Sequence, residues 1–161
     1  MTTAQTKRRA LLSFMLDRSG VLNKVFMLIR RKMISVDTIT ACATQQPGIS
    51  RITLTLREDN DDKALQLIKQ MEKLTEVISA KELDADQSFW REVAIVKFEA
   101  GSEHLDRLDQ SYNFEILDRQ NHEVVVAQVA GTSLMIDNFM AEIGPGKIIE
   151  VARSGFTAME K

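Results

Sequence analysis

The chain carries a single cysteine, Cys42, in 161 residues, so no internal disulfide framework holds it together. Cys42 sits in a strand-like stretch where a small buried thiol would be unremarkable. Only two histidines occur, His104 and His122, each isolated near a loop and without the cysteine, histidine or paired acidic neighbours that zinc or iron binding needs. No metal centre is expected. A basic surplus is missing too: 21 basic residues face 23 acidic ones, which argues against nucleic acid as a partner. The one basic run, Arg30-Arg31-Lys32, reads as a helix end whose negative dipole it offsets. No apolar run approaches the ~20 residues that span a bilayer, and residues 1–6 lack the apolar core of a signal peptide. The expectation is a cytoplasmic, reducing setting with no membrane contact. A phosphate loop, a nucleophile with a positioned base and a basic recognition helix are likewise absent, so the sequence offers no persuasive residue set for an enzyme acting alone and disfavours a DNA-binding regulator.

What the chain does have is one pattern written twice. After a flexible tail over residues 1–7, residues 9–16 read as a strand, and Val21, Leu22, Val25, Phe26, Leu28 and Ile29 fall on one broad helical face. Residues 35–43 are rich in β-branched side chains, and Thr44-Gln45-Gln46-Pro47-Gly48 supplies a turn. Residues 51–57 then alternate, with Ile52, Leu54 and Leu56 opposite Arg51, Thr53, Thr55 and Arg57. Asp59-Asn60-Asp61-Asp62 starts a second helix with an Ala64, Leu67, Ile68, Met71, Leu74 stripe, and residues 77–83 close as a strand. The order is βαββαβ.

The polar, aperiodic segment around residues 85–90 reads as a linker between a first domain, 8–84, and a second, 91–161. Beyond it the pattern restarts. Residues 93–98 form a strand, Leu105, Leu108 and Tyr112 mark a short helix, and residues 114–117 lead to a turn at Gln120-Asn121. A continuous apolar strand at 124–129 precedes a helix capped by Thr132 or Ser133 and lined by Ile136, Phe139, Met140 and Ile143. Gly144-Pro145-Gly146 stops that helix, and residues 148–152 return as the final strand. The fold class is therefore α+β, with two tandem ferredoxin-like units. Each holds about 75 residues and is marginal alone, so self-association is expected.

Between the first strand and the first helix lies Asp17-Arg18-Ser19-Gly20. A glycine-containing loop at a helix N-terminus presents free N–H groups and a positive dipole end that attract a carboxylate, while Asp17 could receive an ammonium. That pairing suits a free amino acid. The plainer reading is Ser19 as an N-cap and Gly20 as an aid to the turn.

The segment DRSGVL at 17–22 resembles the ligand loop of the ACT domain, a small-molecule regulatory module that binds amino acids. Together with RRALLSFMLDRSGVLNKV, GISRITLTL, REVAIVK, VAGTS at 129–133 and KIIEVARSG at 147–155, it makes nearly the whole chain similar to the acetolactate synthase (acetohydroxyacid synthase) small-subunit family. The resemblance implies an ACT domain followed by an ACT-like domain and a non-catalytic regulatory role. It further implies a catalytic large subunit as partner, a homodimer joined through the ACT domains, and feedback by a branched-chain amino acid, usually valine. Thiamine diphosphate, magnesium and FAD would all belong to the large subunit, with no cofactor on this chain. The effector site it implies takes Asp17, Gly20, Val21 and Leu22 from one protomer and Ser35 and Val36 from the other. An amino-acid sensor or transcriptional regulator working without an enzyme partner is the alternative.

Two polar positions depart from the family, which commonly has asparagine at both Asp17 and Ser35. An ionised aspartate only accepts, and serine lacks the reach of the amide, so valine control is expected to be weakened. The family's glycine at the end of the first helix is also absent, with Lys32-Met33 in its place.

Overall fold

The computed structural model describes residues 8–120 and 123–161, and the expected tail at 1–7 and His122 lie outside them. The chain divides into two compact units, one made of Met1–Phe89 with Ala158–Lys161 and the other of Trp90–Thr157.

The first unit runs β1 (Arg8–Leu16), α1 (Val21–Arg31), β2 (Ser35–Ala43), β3 (Ile49–Arg57), α2 (Asp61–Met71) and β4 (Val77–Glu82). Its antiparallel sheet has the order β2-β3-β1-β4, which leaves β2 and β4 as edges. Alternation decides which side chains meet the helices. Leu11 and Met15 of β1 and Ile52, Leu54 and Leu56 of β3 pack with Val21, Val25 and Ile29 of α1 and Leu67, Ile68 and Met71 of α2 in one core. Leu22 and Phe26 were expected on the buried face of α1, yet both remain 37% exposed. The stripe that reaches the sheet is the narrower set at 21, 25 and 29.

On the second face of the sheet, Thr53 and Thr55 are buried, and the Thr55 hydroxyl meets that of Thr38 at 2.5 Å across the β2–β3 ladder. Cys42 is exposed on edge strand β2. The α2 start works as its composition suggests: the Asn60 side chain accepts from the Lys63 N–H at 3.1 Å, and Asp61 and Asp62 occupy the first turn. Arg9, almost wholly buried, fastens this start to the sheet by donating to the Glu58 carbonyl at 2.7 Å and pairing with Glu82 and Asp61. Burial would lower the Arg9 pKa, but hydrogen bonding and charge from Asp61 and Glu82 outweigh it and raise the value.

The exit from α1 makes good the missing glycine in an unexpected way. Ile34 donates to the Ile29 carbonyl at 3.3 Å and Met33 to that of Arg30 at 3.0 Å, the bonding of a Schellman ending. Met33 occupies its left-handed position with φ 54°.

The second unit repeats the plan with β5 (Ser88–Glu99), α3 (Ser102–Ser111), β6 (Phe114–Gln120), β7 (Val124–Gly131), α4 (Ser133–Ile143) and β8 (Ile148–Arg153). Its sheet order is β6-β7-β5-β8. The β5 strand begins at Ser88, so part of the stretch read as linker is already strand. Phe98, Val125, Val129, Ile136 and Phe139 form the centre of the core, where Phe139 sits edge-on to Phe98 at 6.2 Å and to Tyr112 at 5.5 Å. Thr132, rather than Ser133, caps α4, its hydroxyl accepting from the Met135 N–H at 3.3 Å. Glu92, only 4% exposed, pairs with Arg153, which also donates to Asp137 at 2.7 Å. A last strand, β9 (Thr157–Glu160), was not foreseen and pairs with β5.

Candidate functional site

The loop leaving β1 is pinned at its start by two backbone bonds. Leu16 donates to the Glu76 carbonyl at 2.8 Å and Asp17 to that of Gly48 at 2.8 Å, which ties the loop to the turns before β4 and β3. Arg18 then folds back onto Leu16 at 3.0 Å, and Gly20 adopts φ 86° as the N-cap of α1. A side chain at Gly20 would find open space but a strained backbone. Ser19 makes no capping bond, so the plainer reading of that residue fails.

The consequence is a set of free donors. Val21 spends its N–H on the Arg18 carbonyl at 3.3 Å, whereas the N–H groups of Ser19, Gly20 and Leu22 meet no backbone acceptor among the described residues. They stand at the positive end of an eleven-residue helix. A cavity of about 420 Å³ opens beside them, bounded on the loop side by Asp17, Ser19, Gly20, Val21 and Leu22. Asp17 is exposed and Val21 is buried, which gives the cavity an acidic mouth and an apolar floor. This volume lies in the range of small-molecule sites.

Its far wall was missed from the sequence. Ala41, Cys42 and Ala43 of β2 and Ser50 and Ile52 of β3 complete the cavity. Register is the reason, since β3 sets Ser50 beside both Met15 and Ala43, and Ile52 beside Ala41. Hairpin pairing counted back from the Pro47-Gly48 turn was the only signal that could have shown it. Ser35 and Val36 are not at this cavity. They start β2, paired with Arg57 and Leu56, and seven residues of strand, roughly 23 Å, separate Ser35 from Cys42. One copy of the chain cannot bring them to its own loop.

Glu76, whose carbonyl anchors Leu16, pairs through its carboxylate with Lys24 of α1. Hydrogen bonding from Lys24, and then from its own backbone, holds the Glu76 carboxyl below the usual range. The loop cavity contains no cluster suited to a metal, and among the described residues no group of three or more histidine, cysteine, aspartate or glutamate side chains converges anywhere.

Residues 11–79 match the family model described as "AHAS small subunit-like ACT domain", and residues 91–161 match "Small subunit of acetolactate synthase". The isozyme 3 small subunit of Escherichia coli acetolactate synthase is 33% identical over 159 residues, covering 95% of this chain and 96% of that one. The chain belongs to the acetolactate synthase small-subunit family. The Bacillus subtilis small subunit is 27% identical over 157 residues, covering 96% of this chain and 91% of the relative. The crystal structure of the Thermotoga maritima small subunit shares the fold over 96% of this chain and 98% of its own, with a TM-score of 0.86 at 23% identity. In this family of small subunits, the loop cavity therefore sits in the ACT domain.

Proposed function

We propose that this chain is a non-catalytic regulatory subunit that binds the catalytic large subunit of acetolactate synthase in the cytoplasm, raises its activity and makes it answer to a branched-chain amino acid, with valine as the effector. Thiamine diphosphate, magnesium and FAD belong to the large subunit on this reading. The observation that carries it is the cavity at the head of α1, with unengaged N–H groups at Gly20 and Leu22, in a chain that aligns with small subunits almost end to end.

The ligand carboxylate is received by those N–H groups at the helix N-terminus, and the ammonium by Asp17. Val21 and Leu22 bound the side-chain pocket on the loop side. Ser35 and Val36 come from a second copy, joined through the open edge of β2, so the site is shared by two protomers. Asp17 repels a carboxylate that approaches it, and Ser35 has lost an amide, so valine binds this subunit more weakly than it binds a subunit with asparagine at both places.

Mixing the chain with a matching large subunit and measuring acetolactate formation, with and without valine, tests the proposal. A several-fold rise in rate on mixing is expected, with partial inhibition by valine at high concentration. No rise in rate would remove the regulatory reading.

A further inference from the structure

The last four residues, Ala158–Lys161, belong to the first unit, although every residue from Trp90–Thr157 belongs to the second. They lie at a second cavity of about 800 Å³, whose lining includes Phe14, Arg51, Lys81, Met159 and Glu160. Ala43 lines both this cavity and the one at the loop. Arg51 is the link between the two. Its neighbours Ser50 and Ile52 line the loop cavity, while its own side chain points to the other side of the sheet, lies 6.0 Å from the centre of the Phe14 ring and donates to the Ala158 carbonyl.

The segment is held by polar contacts. Besides Arg51 and the pairing of β9 with β5, Lys81 pairs with Glu160, the Lys161 N–H donates to the Gln87 carbonyl at 3.0 Å, and the Lys161 ammonium donates to the Asp86 carbonyl at 2.6 Å. Ala158 is the one small apolar side chain buried there, and Met159 is 64% exposed. A strand with so little buried apolar surface opens locally at low cost while the core stays folded. The turn between β2 and β3 joins the two cavities a second time, since Gly48 accepts from Asp17 of the loop and the adjacent Ile49 lines the larger cavity.

We propose that residues Ala158–Lys161 form a latch on the sheet face behind the loop cavity, and that latch closure and loop order are coupled through residues 48–52. This rests on the loop being the effector site and adds the element that its occupancy regulates. Binding that orders the loop favours the closed latch, and an open latch loosens the loop, by the reciprocity of linked equilibria.

Amide hydrogen exchange on the full chain tests the coupling without any ligand. Arg51→Met and Lys81→Met each remove one latch contact, and both are expected to speed exchange at the Lys161 and Asp17 amides together, by roughly fivefold or more. Arg51→Lys, which keeps a donor, restores slower exchange at both and separates unlatching from misfolding. Faster exchange at Lys161 with Asp17 unchanged would overturn the coupling, and unchanged exchange at Lys161 in both variants would overturn the latch. Valine is then added to the unaltered chain, where slower exchange at both amides is expected. Failure of valine to bind would sink the effector reading, while the ligand-free comparison still decides the latch.

Discussion

Replacing Met33 with glycine should make the first unit more stable, although it deletes a large apolar side chain. Met33 holds φ 54° at the Schellman position after α1, where an L-residue costs roughly 1–2 kcal/mol relative to its favoured backbone region. Its side chain is 86% exposed, so truncation forfeits almost no packing. Against the relieved strain stands the greater freedom of glycine in the unfolded chain, about 0.5–1 kcal/mol. The net gain is about 0.5–1 kcal/mol. With a urea dependence of about 2 kcal/mol/M, the unfolding midpoint rises by roughly 0.25–0.5 M. Urea titration followed by circular dichroism reads this directly. Met33→Ala is the control, because it retains the Cβ that crowds the left-handed region and should leave the midpoint nearly where it was. A midpoint that falls in Met33→Gly, or an equal gain in Met33→Ala, would refute the argument from backbone strain.

Gly20→Asp should abolish amino-acid binding, since it forces an L-residue to φ 86° and sets a negative charge among the free N–H groups; calorimetry showing unaltered affinity would move the site elsewhere. Asp17→Asn combined with Ser35→Asn should tighten valine binding by about tenfold or more, measured the same way. Glu92→Ala should cost about 1–2 kcal/mol in urea unfolding, less than for an isolated buried pair, because Arg153 keeps Asp137. The Glu58 carboxyl is held low first by hydrogen bonding from Lys63 and then by the Asn60 N–H, so its contribution is complete above the unfolded carboxylate value and is lost as pH falls through the folded one. Glu58→Gln should therefore flatten the acid limb of the stability profile below about pH 4.5, and an unchanged slope would count against the pair.

Periodicity was enough to find both βαββαβ units, because helix faces such as Leu67, Ile68 and Met71 and strand faces such as Ile52, Leu54 and Leu56 repeat over several turns or pleats. Shorter features escaped it. Thr157, Ala158, Met159 and Glu160 are too few to show a period, and their contacts with Arg51 and Lys81 join positions distant in the chain. The loop half of the candidate site was legible because glycine before a helix has a local meaning. Ala41, Cys42 and Ala43 carry no such meaning, and only strand register brings them to the loop. Leu22 and Phe26 misled for a related reason: an apolar face can be wider than the sheet it packs on.

The distance along β2 between Ser35 and Cys42 has a genetic corollary under the proposed two-copy site. Because each complete pocket draws its loop from one chain and its strand start from another, a chain damaged at Gly20 and one damaged at Ser35 can complement each other. Their mixed pair holds one pocket with both lesions and one with neither. Two separately insensitive alleles would then regain part of the sensitivity when expressed together, a pattern that a pocket enclosed by a single polypeptide cannot produce.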